Sequence, residues 1–312
     1  MSFALEVKEE IISHYFTEYQ QLMLLRGFIK YSSNLLLEKN QWKLQLDLLS
    51  NKITRNIYTF LKNLYPHEII ISIMQTSKLK KQKIYHLILE KDVKKFLKNF
   101  DIYDIDKNHK IIKIQYKDKN NEKNLRAYLS GIFIACGSVN SPKTSNYHLE
   151  LQFKEKESAE YFLELTKKFN FNFKIIERKD NIVCYLKKST SVSDFLKLID
   201  APNSVLTFEN ERISRDFSNS LNRVNNVDIY NQMKTTLTSD KQIEQINSLI
   251  EKGKVKELSI KNQKLIELRL NNPSYSFQEL TIEMNALGIS ITKSGVSNLF
   301  KIIEQMYKNL EE

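Results

Sequence analysis

Lys293, Ser294, Ser297, Asn298 and Lys301 recur at helical intervals near the end of the 312-residue chain. That spacing puts them on one side of a helix beginning near Thr292, with Val296, Leu299, Ile303, Met306 and Leu310 on the other. The chemistry open to such a polar face is the reading of DNA. An asparagine can pair bidentately with adenine, and a lysine can donate to guanine or to a phosphate. The preceding helix opens with a capping box, Ser276 with Glu279 three residues on, and buries Leu280, Ile282 and Met284. Gly288 permits the turn between the two. This pattern predicts a helix-turn-helix whose second helix enters the major groove. The alternative is a three-helix module that binds protein, which the near-neutral charge of this region also suits.

Other catalytic chemistry finds no support. His14, His67, His86, His109 and His148 never fall at metal-ligand spacing, and Cys136 and Cys184 stand in unrelated contexts. The six glycines are scattered, so no loop can cradle a phosphate. Ser138 follows a helix, where a nucleophile elbow needs a strand before it. Cys136 reads as a small buried residue. No metal and no cofactor are expected.

The chain is 41% apolar and carries a formal net charge of +11. Residues 222–312 hold 12 basic and 11 acidic side chains, and residues 1–221 hold 36 and 26. The positive field therefore belongs to the larger N-terminal part, and it points to an anionic partner. Glu6, Lys8, Glu9 and Glu10 interrupt any apolar run near Met1, and no stretch is long enough to span a membrane. A cytoplasmic protein without a membrane partner is expected.

The elements are organised around Leu125–Phe153. Leu125, Leu129, Ile132 and Phe133 mark a helix, and Ala127, Gly131 and Ala135 form a small-residue stripe that admits another backbone. Gly137 is suited to a left-handed cap. Tyr147, Leu149, Leu151 and Phe153 alternate with polar residues as a half-buried strand. A weaker copy precedes it, with Leu25–Ser33 aligned to Leu129–Gly137 through Gly27 and Gly131, then a strand at Trp42–Leu48. Helices and a strand pair follow each copy, which predicts tandem αββαββα units in an α+β domain. Asp101–Lys123 reads as an exposed connector with a short strand. Asn203–Asn225 and Asp228–Ile250 read as two long polar helices, ahead of three C-terminal helices. The expected organisation is 1–200, a helical linker region 201–254, and 255–312.

LSGIFIACG (Leu129–Gly137) resembles the LAGLIDADG helix of homing endonucleases, with Leu, Gly, Ala and Gly at the first, third, seventh and ninth places. The longer string RAYLSGIFIACGSVNSPKTSNYHLEL is more similar to the WhiA family, bacterial regulators with a LAGLIDADG-like domain and a C-terminal helix-turn-helix. SFALEVKEE (Ser2–Glu10), NRVNN with NQMKT (Asn222–Thr235) and SITKSGV (Ser290–Val296) match it in the same order. A LAGLIDADG nuclease needs an acid at the eighth place of each motif to hold metals. Those places hold Ser32 and Cys136, so the resemblance implies the scaffold without the cleavage. It also implies that polar sheet faces lie along DNA, through Lys43 and Gln45 in the first copy and His148, Gln152 and Lys154 in the second. If DNA binding there is lost, the same face takes a protein. Lys78, Lys80 and Lys81 lie in a loop able to reach phosphates, though a solvated turn would look the same. Arg223 and Lys234 match the family pattern between the domains. The resemblance implies a non-catalytic, nucleoid-associated transcription regulator of double-stranded DNA, linked to cell division and chromosome segregation. An active endonuclease and a protein-interaction scaffold are the alternatives.

Overall fold

The computed structural model describes residues 2–75, 83–106, 109–115 and 121–310, in two compact units, Met1–Arg215 and Asp216–Glu312. In the first unit α1 (Phe3–Ile11) is capped by Ser2, whose hydroxyl accepts from the Leu5 amide at 3.3 Å. Phe3, Val7 and Ile11 turn into the core. Two acidic side chains of α1 are tied to other elements. The Glu9 carboxylate accepts from the hydroxyl of Ser50 at 2.6 Å, and the Glu10 carboxylate accepts from the amides of Asn203 and Ser204 at 2.6 and 2.9 Å.

Two repeats follow. The first is α2 (Glu18–Ser32), β1 (Ser33–Glu38), β2 (Gln41–Leu48), α3 (Asn51–Leu64), β3 (Ile69–Gln75), β4 (Lys83–Leu89) and α4 (Val93–Asn99). A hairpin, β5 (Tyr103–Ile105) and β6 (Ile111–Lys113), leads to the second. That repeat is α5 (Glu122–Cys136), β7 (Gly137–Val139), β8 (Leu149–Phe153), α6 (Lys156–Lys167), β9 (Lys174–Arg178), β10 (Asn181–Leu186) and α7 (Ser189–Leu198). The sheets have the same order, β1-β2-β4-β3 and β7-β8-β10-β9, so the tandem repeat expected from the periodicity is present. In each sheet one face packs on the helices: Trp42, Leu44, Leu46 and Leu48 in β2, and Leu149, Leu151 and Phe153 in β8, are buried.

α2 and α5 cross backbone to backbone. A Cβ on Gly131 would overlap the carbonyl of Leu24 and stand 3.0 Å from the Phe28 nitrogen. A Cβ on Gly27 would overlap the carbonyl of Tyr128 and stand 3.1 Å from the Ile132 nitrogen. The small-residue stripe serves this approach.

Four local expectations are corrected. Gly137 is extended, at φ −83°, not left-handed; a side chain there would strike the ring of Phe133, and β7 starts at once. β1 adds a strand ahead of β2 in register Ser33 to Leu46. The connector is not simply exposed: Ile102 and Tyr103 are buried, and the Tyr103 hydroxyl donates to the Lys30 carbonyl at 2.7 Å. The two long polar helices are one, α8 (Pro202–Glu251), of 50 residues, because neither Gly nor Pro interrupts it after Pro202.

The second unit takes most of α8, in which residues 216–234 are exposed on every side. Further on, Ile246 and Leu249 enter a core with Leu265 and Ile266 of α9 (Ile260–Asn271), Leu280 and Met284 of α10 (Phe277–Ala286), and Val296, Phe300 and Ile303 of α11 (Lys293–Lys308). Arg269 is buried beneath them. Its Nη1 donates to the carbonyls of Pro273 and Tyr275 at 3.2 and 2.6 Å, and its guanidinium lies 5.4 Å from the centre of the Phe300 ring.

Candidate nucleic-acid interface

α11 owes its start to Thr292, whose hydroxyl accepts from the Gly295 amide at 3.2 Å. The turn before it is held by Asn285. That side chain donates to the Ile291 carbonyl at 3.0 Å and accepts from the Ile291 amide at 3.1 Å. Gly288, at φ +81°, makes the reversal. α10 begins with the expected capping box between Ser276 and Glu279 and buries Leu280 and Met284, but Ile282, expected to be buried, is exposed.

On this frame Lys293, Ser294, Asn298 and Lys301 are exposed along one side of α11, and Ser297 is half-buried beside them. None of the five has a hydrogen-bond or ion-pair partner among the described residues. Gln305, one turn beyond Lys301, is exposed on the same face. The sequence reading passed over Gln305; its i+4 relation to Lys301 was the available signal. The opposite side carries Val296, Phe300 and Ile303 into the core, which fixes how the free face is presented.

The sheet residues are placed differently. Lys43 is held between Glu38 and Glu90, at 2.9 and 2.8 Å. Gln45 donates to Asp47 at 2.8 Å, and Asp47 also takes His86 at 2.6 Å. In the second sheet Glu150 gathers His148 at 2.9 Å, Gln152 at 2.8 Å and Arg178 at 3.8 Å. Burial acts to raise the Glu150 pKa, but these bonds and charges together hold it below the usual carboxylate value. Lys154 alone of the named sheet residues has no partner among the described residues. Arg223 and Lys234 are exposed on α8. Lys78, Lys80 and Lys81 lie outside the described residues.

Ser32 and Cys136 end α2 and α5 in matching ways. The Ser32 hydroxyl donates back to the Phe28 carbonyl at 2.7 Å, and the Cys136 thiol to the Ile132 carbonyl at 3.4 Å. Burial pushes the Cys136 pKa up to about 12, so it stays a thiol at neutral pH. Lysines gather where a nuclease would collect carboxylates. Lys8 lines the same cleft as Cys136, its pKa lowered by burial although the thiol pulls the other way. Lys30 is buried against the carbonyl of Ile114 and the hydroxyl of Tyr128. Neither was singled out from the sequence, because a lysine there reads as solvated surface. Among the described residues no three His, Cys, Asp or Glu side chains converge to hold a metal.

Comparison with known proteins fits this division. Residues 18–103 match the model of the WhiA N-terminal LAGLIDADG-like domain, residues 125–218 that of the WhiA LAGLIDADG-like domain, and residues 221–307 that of the WhiA C-terminal HTH domain. A probable cell division protein WhiA from Enterococcus faecalis is 34% identical over 100% of this chain and 99% of its own length. The chain belongs to the WhiA family. A second WhiA, from Lactobacillus gasseri, is also 34% identical, over 100% of this chain and 99% of its own. The crystal structure of full-length WhiA from Thermatoga maritima shares the fold, with a TM-score of 0.59 at 22% identity over 99% of this chain and 98% of that one. The WhiA pairing of LAGLIDADG-like repeats with a helix-turn-helix is therefore the architecture of this chain. Among the described residues no helix is long and apolar enough to cross a membrane.

Proposed function

We propose that this WhiA-family protein is a non-catalytic, nucleoid-associated transcription regulator, and that it reads duplex DNA through the free face of α11. The observation that carries the reading is the contrast in commitment between surfaces. Lys293, Ser294, Ser297, Asn298 and Lys301 have no partner, whereas most named sheet residues are tied to carboxylates. Asn298 is the base-reading residue, the lysines donate to guanine or phosphate, and the serines accept or donate beside them. Lys154, Arg223 and Lys234 add salt-sensitive contacts. We take 255–312 to select sequence, 201–254 to connect, and 1–200 to carry the positive field. The names of its relatives support a role in cell division; a part in chromosome segregation is the finer proposal.

A second reading concerns the first sheet. Lys43 there is taken up by Glu38 and Glu90, and Gln45 and His86 turn to Asp47, so these groups are not free for phosphates and a protein partner suits the face better.

The test uses the full chain, with a target duplex selected by crosslinking to the genome and a random duplex of equal length. Asn298→Ala should erode discrimination by ~1–3 kcal/mol while leaving random DNA affected little. Lys293→Ala and Lys301→Ala should also flatten the salt dependence. Wild-type discrimination in Asn298→Ala sinks the assignment. With magnesium or manganese no cleavage is expected; products that vanish on changing Ser32 or Cys136 would overturn the non-catalytic reading.

A further inference from the structure

The ends of α2 and α5 look into a cleft of about 1280 Å³, lined from both repeats and from the connector. Among the described residues five lysines line it, Lys8, Lys30, Lys110, Lys113 and Lys154, against two carboxylates, Glu155 and Glu157. Glu155 is already bonded to Lys113 at 2.8 Å. Lys8 and Lys154 have no hydrogen-bond or ion-pair partner among the described residues. Lys30 donates to neutral oxygens, those of Ile114 and Tyr128, and lies over the rings of Tyr128 and Tyr161; among the described residues it has no carboxylate partner. Among the described residues the cleft thus holds more positive charge than its carboxylates neutralise.

Such charge is costly where water is partly excluded. The cost is visible at Lys30, whose pKa falls to about 8 through burial first and then the charges of Lys113 and Arg26. A divalent cation would add to the repulsion. An anion would remove it, and a phosphate suits several ammonium groups at once, since it offers multiple charged acceptor oxygens. We propose that this cleft is a phosphate-binding site, in which Lys8 and Lys154 are the free donors and Lys30 supplies the buried charge. The phosphate belongs either to a small metabolite or to the DNA backbone. The proposal does not rest on the reading of α11.

The experiment titrates the full-length protein with inorganic pyrophosphate at fixed ionic strength and follows the melting midpoint. A saturable rise is expected, absent with sodium chloride of equal ionic strength. Lys8→Met and Lys154→Met should each weaken the apparent affinity by about tenfold, the size of one lost charged hydrogen bond. Lys62→Met, an exposed lysine on α3 away from the cleft, should leave it unchanged. The same variants are then titrated with random duplex DNA. If the site takes a metabolite, pyrophosphate does not compete with the duplex and Lys8→Met binds it as wild type does. If it takes backbone phosphate, pyrophosphate competes and Lys8→Met weakens the duplex. No saturable rise, or a rise unchanged in both Lys8→Met and Lys154→Met, overturns the proposal and leaves the Asn298 test unaffected.

Discussion

Gly131 lies against the carbonyl of Leu24 with no room for a Cβ between them, and Gly27 repeats the arrangement against Tyr128. The obstacle in both cases is backbone, which cannot swing away as a flexible side chain can. Gly131→Ala should therefore destabilise the first unit by about 1–3 kcal/mol or more through overpacking. Gly27→Ala should cost a similar amount, because the contact is reciprocal. Denaturant midpoints for the two variants check this, and a wild-type midpoint in either would refute the close crossing.

Lys30 makes stability depend on alkaline pH. Its folded pKa, about 8, lies below the ordinary 10.5. Below the folded value both states are protonated, and the whole penalty of the buried charge is present. Between the two values the unfolded chain holds a proton that the folded chain has released, so stability rises with pH. Cys136 and the buried tyrosines, with raised pKa values, act in the opposite direction above about pH 9. The clean readout is the difference between wild type and Lys30→Met over pH 7–9. Wild type should gain stability relative to the variant, on the order of 1 kcal/mol across that window. Parallel curves would refute the assignment.

Arg269 serves the second unit as a cross-brace. Its Nη1 satisfies the Tyr275 carbonyl, while the Pro273 carbonyl has a further donor in Ser239. Arg269→Ala should cost about 2–4 kcal/mol, from an orphaned carbonyl and an emptied site under Phe300. Ser239→Ala should cost less, since Arg269 still reaches Pro273. Thermal unfolding of both variants orders the two contributions, and the reverse order would contradict the bracing role.

Features whose signal is periodic or local could be read directly from the chain. The stripe Ala127, Gly131, Ala135 foretold the close crossing, and Ser276 with Glu279 foretold the start of α10. The free face of α11 followed from the spacing of its apolar residues. β1 was missed because Leu35, Leu36 and Leu37 run together without alternation. α8 was read as two helices, Asn203–Asn225 and Asp228–Ile250, yet no Gly or Pro lies between them to force a break. Lys8, Lys30 and Arg269 were beyond local reading: each is a cation whose burial depends on residues far away in sequence.

The Glu10 carboxylate that accepts from Asn203 and Ser204 joins positions 193 and 194 residues apart. It supplies a negative charge at the N-terminus of α8, where the helix dipole favours one. During synthesis at ~5–20 residues per second, α1 then waits roughly 10–40 seconds for this partner to be made. Through that interval Glu10 has no helix end to cap, and the second repeat must already be largely made. One of the late contacts to close in the first unit is thus made by its first helix. A nascent chain stalled between α7 and α8 would carry both sheets and still lack the clasp that joins its start to the long helix.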